Sequence, residues 1–282
     1  MILQSFLMSL AYLATAMLLF VGGRAVFAFS HGIRSLKTEL SERDNLALAL
    51  AMGGYFLGLT IAVGGAFSGP SHSFTGGLLG VLEYGALAIV LLSLSVWIND
   101  RVIFTRFSEQ KEIINDQNCG VGLVRAANYI AMGLILYGTI SGEGGGIVAL
   151  LVFLVLGQCA LIVAAHVYLR LVPYDVQQAM ENGNAAVGAS FAGMLFAIGN
   201  IVRYAVQGNF VSWPESLASF GLMLLYGLLV LPLVRFVTDR LLLPGTSLTH
   251  ELVVQEKPNI GAGVVEGLIY ACTSFLIGWS AA

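Results

Sequence analysis

Apolar runs of twenty or more residues alternate along this chain with short polar connections. A helix needs about 20 largely apolar residues to cross a bilayer, and eight stretches meet that requirement: 3–28, 45–67, 75–98, 118–140, 146–169, 184–206, 216–238 and 259–281. The pattern predicts an all-α integral membrane protein with eight transmembrane helices. Four of these spans open on the same motif, an asparagine followed at +4 and +8 by Gly or Ala. The four asparagines are Asn45, Asn118, Asn184 and Asn259. On a helix, positions four apart share a face, so each motif carries a stripe without bulk along which another helix backbone can approach closely. An asparagine at the head of such a helix suits an N-cap, its side-chain oxygen taking a backbone N–H that the first turn leaves without a partner. Cap plus smooth seam is the ordinary reading, and a polar vestibule shared by four asparagines is the alternative.

The asparagines are 73, 66 and 75 residues apart, and the first and third, like the second and fourth, are separated by about twice that unit (139 and 141). The chain therefore reads as a duplicated duplication: four hairpin repeats, grouped as two four-span domains at 1–149 and 150–282. A large side chain recurs at +11, as Phe56, Tyr129, Leu195 and Tyr270. Because each unit holds an even number of spans, the copies share one orientation and form parallel repeats.

Composition agrees with the pattern. Hydrophobic residues make up 57% and charged residues 10% of the chain, against about 25% charged in soluble domains. No dense Lys/Arg cluster is present to track a phosphate backbone, so nucleic acid is not an expected partner. The first span is too long for a signal-peptide core and lacks a basic segment before it, so it reads as retained. Cys119, Cys159 and Cys272 fall singly within spans and read as small buried hydrophobes. Eleven of the thirteen Lys and Arg residues lie in or beside the connections after spans one, three, five and seven. By the positive-inside rule those connections are cytoplasmic and both termini face outward.

Ionisable side chains inside apolar spans must be paired, hydrated or functional. Glu83, Arg125 and Glu266 are the three that stand out. Arg125 and Glu266 both lie seven residues past their asparagines, about 10 Å inside the boundary at 1.5 Å per residue. Equal depth and opposite charge predict an ion pair between them across the bundle, a structural clamp in the first place and a transport element in the second. Glu83 enters from the opposite side with no basic residue level with it, the setting of a carboxyl that stays protonated. His166 is either a partner for Glu266 or an interfacial histidine, and Asn128, Gln158 and Asn200 are expected to bond helices together. No nucleophile, metal-ligand or phosphate-loop motif occurs, so neither an enzyme nor a cofactor or metal is expected.

Acidic-polar segments precede the motif, as in Glu39-Leu-Ser-Glu-Arg-Asp-Asn45 and Glu112-Ile-Ile-Asn-Asp-Gln-Asn118. In this the chain resembles, over essentially its whole length, the YjfL-like bacterial inner-membrane family, domain of unknown function 350, in two tandem copies. Copies three and four depart from that lead-in: Gln178 stands in the place of Glu39 and Glu112, and Lys257-Pro258 precedes Asn259. The resemblance implies an inner-membrane location and four spans per domain, and no established reaction. Two functional expectations follow. One is a small-ion, proton-linked transporter or channel using Glu83, Arg125 and Glu266. The other is a scaffold whose mixed-charge segments at 35–44, 108–117 and 248–258 recruit a protein. The expected partners are the lipid bilayer and either a further copy of the chain or another membrane protein.

Overall fold

The computed structural model describes every residue except 1, 69–72, 107, 109, 143, 242–244 and 282, so Glu109 of the second charged segment lies outside the described residues. The described chain contains nine α-helices: α1 (Ile2–Ser30), α2 (Leu46–Ser68), α3 (Phe74–Val102), α4 (Cys119–Ile140), α5 (Gly146–Leu171), α6 (Val176–Glu181), α7 (Ala185–Val206), α8 (Trp213–Leu241) and α9 (Ile260–Ala281). All but the short α6 are long and apolar enough to span a membrane, which gives the eight expected spans. The odd-numbered spans run further than the apolar runs that predict them, α3 and α8 furthest. α3 continues past residue 98 through Asn99, Asp100 and Arg101, and α8 continues past 238 through Asp239 and Arg240. Polar side chains at a span end reach the headgroup layer while the backbone stays helical, so the helix outlasts the hydropathy signal.

The four motif-bearing helices stand in a row, α2 against α4, α4 against α7 and α7 against α9. The remaining spans α1, α3, α5 and α8 pack onto this row. α4 and α7, in the middle, are buried over most of their length, while α1 and α8 are largely exposed. Glycine decides the row. A Cβ built on Gly54 would fall on the Ala126 backbone, one on Gly133 on the Gly58 backbone, one on Gly188 on the Gly120 backbone and one on Gly193 on the Gly267 backbone, all inside contact distance. In lipid, where apolar burial gives helices little reason to associate, backbone approach of this kind supplies the packing.

At the end that carries most of the Lys and Arg, each motif helix is preceded by a single helical turn: Thr38–Glu42, Lys111–Asn115 and His250–Val254 as π-turns, and α6. The mixed-charge segments are therefore structured turns. The chain leaves them through a left-handed residue in three copies, Asp44 (φ 48°), Gln117 (φ 52°) and Gly183 (φ 79°). In the fourth copy Pro258, whose ring fixes φ near −65°, holds that place.

Candidate functional site

The asparagines cap their helices as expected. Asn45 Oδ1 accepts from Leu48 N–H at 2.9 Å, Asn118 Oδ1 from Gly120 and Val121 N–H at 3.1 and 3.3 Å, Asn184 Oδ1 from Val187 N–H at 3.1 Å and Asn259 Oδ1 from Ala262 N–H at 3.1 Å. Their amide nitrogens do a second thing that the sequence does not announce. Asn45 donates to the Ile113 carbonyl at 2.9 Å, Asn118 to the Met180 carbonyl at 2.7 Å and Asn184 to the Leu252 carbonyl at 2.8 Å. Each cap is thus stitched to the lead-in turn of the following copy. Asn259, in the fourth copy, donates to Glu251 Oε2 at 2.8 Å in its own lead-in. Asn118 makes the same bond to Glu112 at 2.8 Å. Glu251 therefore fills in copy four the place that alignment to Glu112 leaves vacant, two residues further upstream because the route through Pro258 is longer.

Two buried charge clusters lie just inside this end, and they correct the expected pairing of Arg125 with Glu266. Arg125 on α4 pairs with Asp100 on α3, and Glu266 on α9 pairs with Arg235 on α8. Each half of the chain holds its own ion pair, with inverted polarity: the base sits on the motif helix in the first half and the acid in the second. Neither partner was legible as such. Asp100 lies beyond its apolar run, and Arg235, near a span end, reads as a side chain that snorkels to headgroups.

Around the second pair the polar groups form an ordered chain. Arg235 donates to Glu266 Oε1, Ser190 Oγ donates to Glu266 Oε2 at 2.6 Å, and the Tyr168 hydroxyl lies 2.8 Å from Ser190 Oγ. Since the Ser190 proton is committed to the carboxylate, Tyr168 is the donor to Ser190. The rings of Tyr168, Phe191 and Tyr270 enclose the cluster, and Tyr174 lies 5.8 Å from the Arg235 guanidinium. The first half has a related arrangement, with Arg125 5.8 Å from the Tyr129 ring and Tyr129 packed on Tyr55 and Phe27. His31, just past α1, bonds the Phe27 carbonyl through Nδ1 at 2.8 Å, which leaves Nε2 to accept from the Tyr129 hydroxyl at 3.4 Å. Burial, and then the Arg125 charge, push the His31 imidazole down to about 4.

The other candidates fall elsewhere. Glu83 is exposed on α3. His166 bonds the Ile162 carbonyl of its own helix at 2.9 Å, while Glu266 is taken by Arg235. The amides do join helices: Asn99 donates to Asn128 at 2.6 Å, Gln158 donates to Asn99, and Asn200 donates to Ser274 at 3.0 Å. Cys159 and Cys272 lie on exposed helix faces rather than in the core, a correction to their expected burial, and Cys119 is half-buried. A thiol is apolar enough to face lipid as readily as a packed interior.

Two of the cavities in the second half lie at opposite ends of α5, α7 and α8. At the basic end one of about 290 Å³ is lined by α5, α7, α8 and α9, with Tyr168, Arg235, Asp239 and Tyr270 on its wall. At the far end another of about 420 Å³ lies among α4, α5, α7 and α8, with Gln207, Asn209, Glu215 and Ser219. Between their linings on α8 lie Phe220, Met223 and Gly227, the last against the Ile201 side chain, and Met223 also lines a further cavity of about 600 Å³ among α7, α8 and α9. α8 then passes through Pro232 as one helix, although proline removes the N–H that the Leu228 carbonyl would accept.

Comparison with known proteins matches residues 1–140 and 143–281 separately to one family model, Domain of Unknown Function (DUF350). The two matches part just before α5, a few residues ahead of the expected boundary at 149/150. The chain is also similar to a UPF0719 transmembrane protein of Aquifex aeolicus (strain VF5), 24% identical over 245 residues that cover 86% of this chain and 88% of that protein. No solved structure matches.

Proposed function

Taking as premise that this chain belongs, through both of its halves, to the DUF350 family, we propose that it is an inner-membrane transporter of a small ion, proton-linked and routed through the second half. The observation that carries this reading is the pair of cavities at opposite ends of α5, α7 and α8, with the buried Phe220 and Met223 of α8 as the apolar plug between their linings. A helix that lacks a backbone bond at Pro232, beside a glycine at the plug, is a natural place for such a path to open. The basic-end cavity has Arg235 on its wall, and the chain Tyr168, Ser190, Glu266 leads from the same wall to a buried carboxylate. Buried charges of this kind are what proton-coupled carriers keep at cost in lipid. The basic end is the cytoplasmic one on this reading, since it collects the Lys and Arg. Glu83 lines neither cavity, so it has no part in the path.

The scaffold reading has less behind it. Much of the charge in the lead-in segments is engaged within the molecule, Glu39 with Arg43, Lys111 with Glu112 and Asp116, Arg106 with Asp175, and Glu251 with Asn259.

Ion flux in proteoliposomes, with and without a pH gradient, tests the proposal. Wild-type protein is expected to carry flux that the gradient modulates, Glu266→Gln to lose the modulation, and Glu83→Gln to behave as wild type. Absence of flux from the wild-type protein, or unchanged gradient dependence in a folded Glu266→Gln variant, rejects it.

A further inference from the structure

The basic-end cavity is lined along α8 by Leu228, Leu231, Arg235, Phe236 and Asp239, residues that helical spacing puts on one face. Its wall is mostly carbon, with the rings of Tyr168, Phe236 and Tyr270 among the lining side chains. Leu171 of α5 and Phe236 of α8 are both lining and exposed, so the cavity opens at the surface between these two helices. Two charged side chains stand on the wall, and they are not equivalent. Arg235 is engaged by Glu266, so that pair is neutral as a unit. Asp239, one turn further along α8, accepts the Leu248 N–H through Oδ1 at 2.6 Å, and no basic side chain pairs with it among the described residues. The wall therefore keeps one uncompensated negative charge.

An inorganic ion is selected by rings of oxygens or charges that stand in for its water, and this lining has no such ring. A mostly apolar cavity with a few placed polar groups is the form that holds an organic molecule, and aromatic faces beside a carboxylate attract a positive charge. We propose, resting on the transport reading above, that the ion this cavity takes is a small organic cation with an apolar body, an amine or quaternary ammonium, its charge at Asp239 and its body against the aromatic and apolar walls. The link to protons follows from the same geometry. Arg235 lines the cavity and holds Glu266, which does not line it. The other groups about Glu266 are neutral: Ser190 of α7, Tyr168 of α5, Tyr270 one turn along α9, and Tyr174 on the far side of the guanidinium. A proton bound by Glu266 neutralises the carboxylate and leaves the Arg235 charge uncompensated on the cavity wall, where it repels a cation. Proton at Glu266 and cation at Asp239 therefore oppose each other, and such a linkage is reciprocal. Taking up one favours release of the other, as exchange requires.

Binding of benzyltrimethylammonium, whose charge is the same at every pH, to the full chain in lipid nanodiscs tests the site, with benzenesulfonate as its anionic counterpart. Saturable binding of the cation alone is expected, weakening as the pH is lowered. Asp239→Asn, whose side-chain oxygen still accepts the Leu248 N–H, is expected to weaken binding about tenfold, the effect of one charge-assisted contact, with helicity unchanged. Arg235→Gln combined with Glu266→Gln removes both charges of the pair together, and this double variant is expected to keep the binding and lose its pH dependence. Absence of cation binding, preference for benzenesulfonate, an affinity unchanged in Asp239→Asn, or a pH dependence that persists in the double variant overturns the proposal, whatever ions the protein carries in proteoliposomes. A cation bound in nanodiscs with this pH dependence but never carried across a proteoliposome membrane upholds the site and rejects the transport reading instead.

Discussion

A single asparagine amide in this protein serves two elements at once, and Asn118 does so most fully. Its oxygen caps α4, and its nitrogen reaches both the Glu112 carboxylate and the Met180 carbonyl. A helix cap is worth about 1 kcal/mol, and a buried acceptor stripped of its donor costs about 1–3 kcal/mol. Asn118→Ala is therefore expected to destabilise the protein by roughly 2–4 kcal/mol. Asn259→Ala, whose amide stays within its own exposed lead-in, is expected to lose little beyond the cap itself, about 1 kcal/mol. Equilibrium unfolding in mixed micelles measures both, and equal losses would remove the distinction between a stitched cap and a plain one. The cap was readable in the sequence because it is local: an asparagine before an apolar run is sufficient. The stitch was not, since it joins residues 62 to 68 apart whose adjacency only the packed row creates.

Among the elements, the row of motif helices is held by backbone contact, and this makes glycine positions unequal. Gly133 faces the Gly58 backbone, and a Cβ there lies 2.6 Å from its Cα. The added methyl must separate α2 from α4, so Gly133→Ala is expected to cost about 1–3 kcal/mol, the usual penalty of overpacking. Gly80 on α3 has nothing within 4 Å of its Cβ direction among the described residues. There the same change only removes glycine's excess backbone freedom, and a gain of about 0.5–1 kcal/mol is expected. Thermal unfolding of the two variants side by side distinguishes them, and a Gly133→Ala protein as stable as wild type would mean that the helices are not in backbone contact. The motif's spacing showed that a seam exists. Which neighbour occupies it depends on the order of helices in the row, which no local pattern encodes.

For the whole molecule, acid response sums contributions from separate ends of the chain. His31 has its imidazole lowered from 6.5 to about 4 by burial and Arg125. Between these values the unfolded chain binds a proton that the folded one refuses, so this stabilising contribution is complete above pH 6.5 and is lost as pH falls toward 4. Asp175 and Glu251 lie below the usual carboxylate range. Backbone N–H donation by Gln178 is the main cause for Asp175, and the Asn259 amide the main cause for Glu251. Their contribution is present above the ordinary carboxylate range and is lost as pH falls further, through their folded values. Stability measured from pH 7.5 downward is expected to decline first between 6.5 and 4 and again below that range. His31→Gln is expected to flatten the first phase, and a first phase unchanged in that variant would assign it to other groups.

By itself the sequence determined the eight spans, the two matching halves, the caps and the existence of small-residue seams. Each of these rests on interactions between residues within a turn or two, or on apolar length, and both are written along the chain. Tertiary structure decided which charges meet. Arg125 and Glu266 share a depth and a repeat position, yet each finds its counter-charge on the adjacent helix of its own half, on Asp100 and Arg235. Charge pairing in lipid is chosen by helix neighbours and by where a helix truly ends. The polar last turn of α3, invisible to hydropathy, brings Asp100 within reach of Arg125 before any partner across the bundle can be.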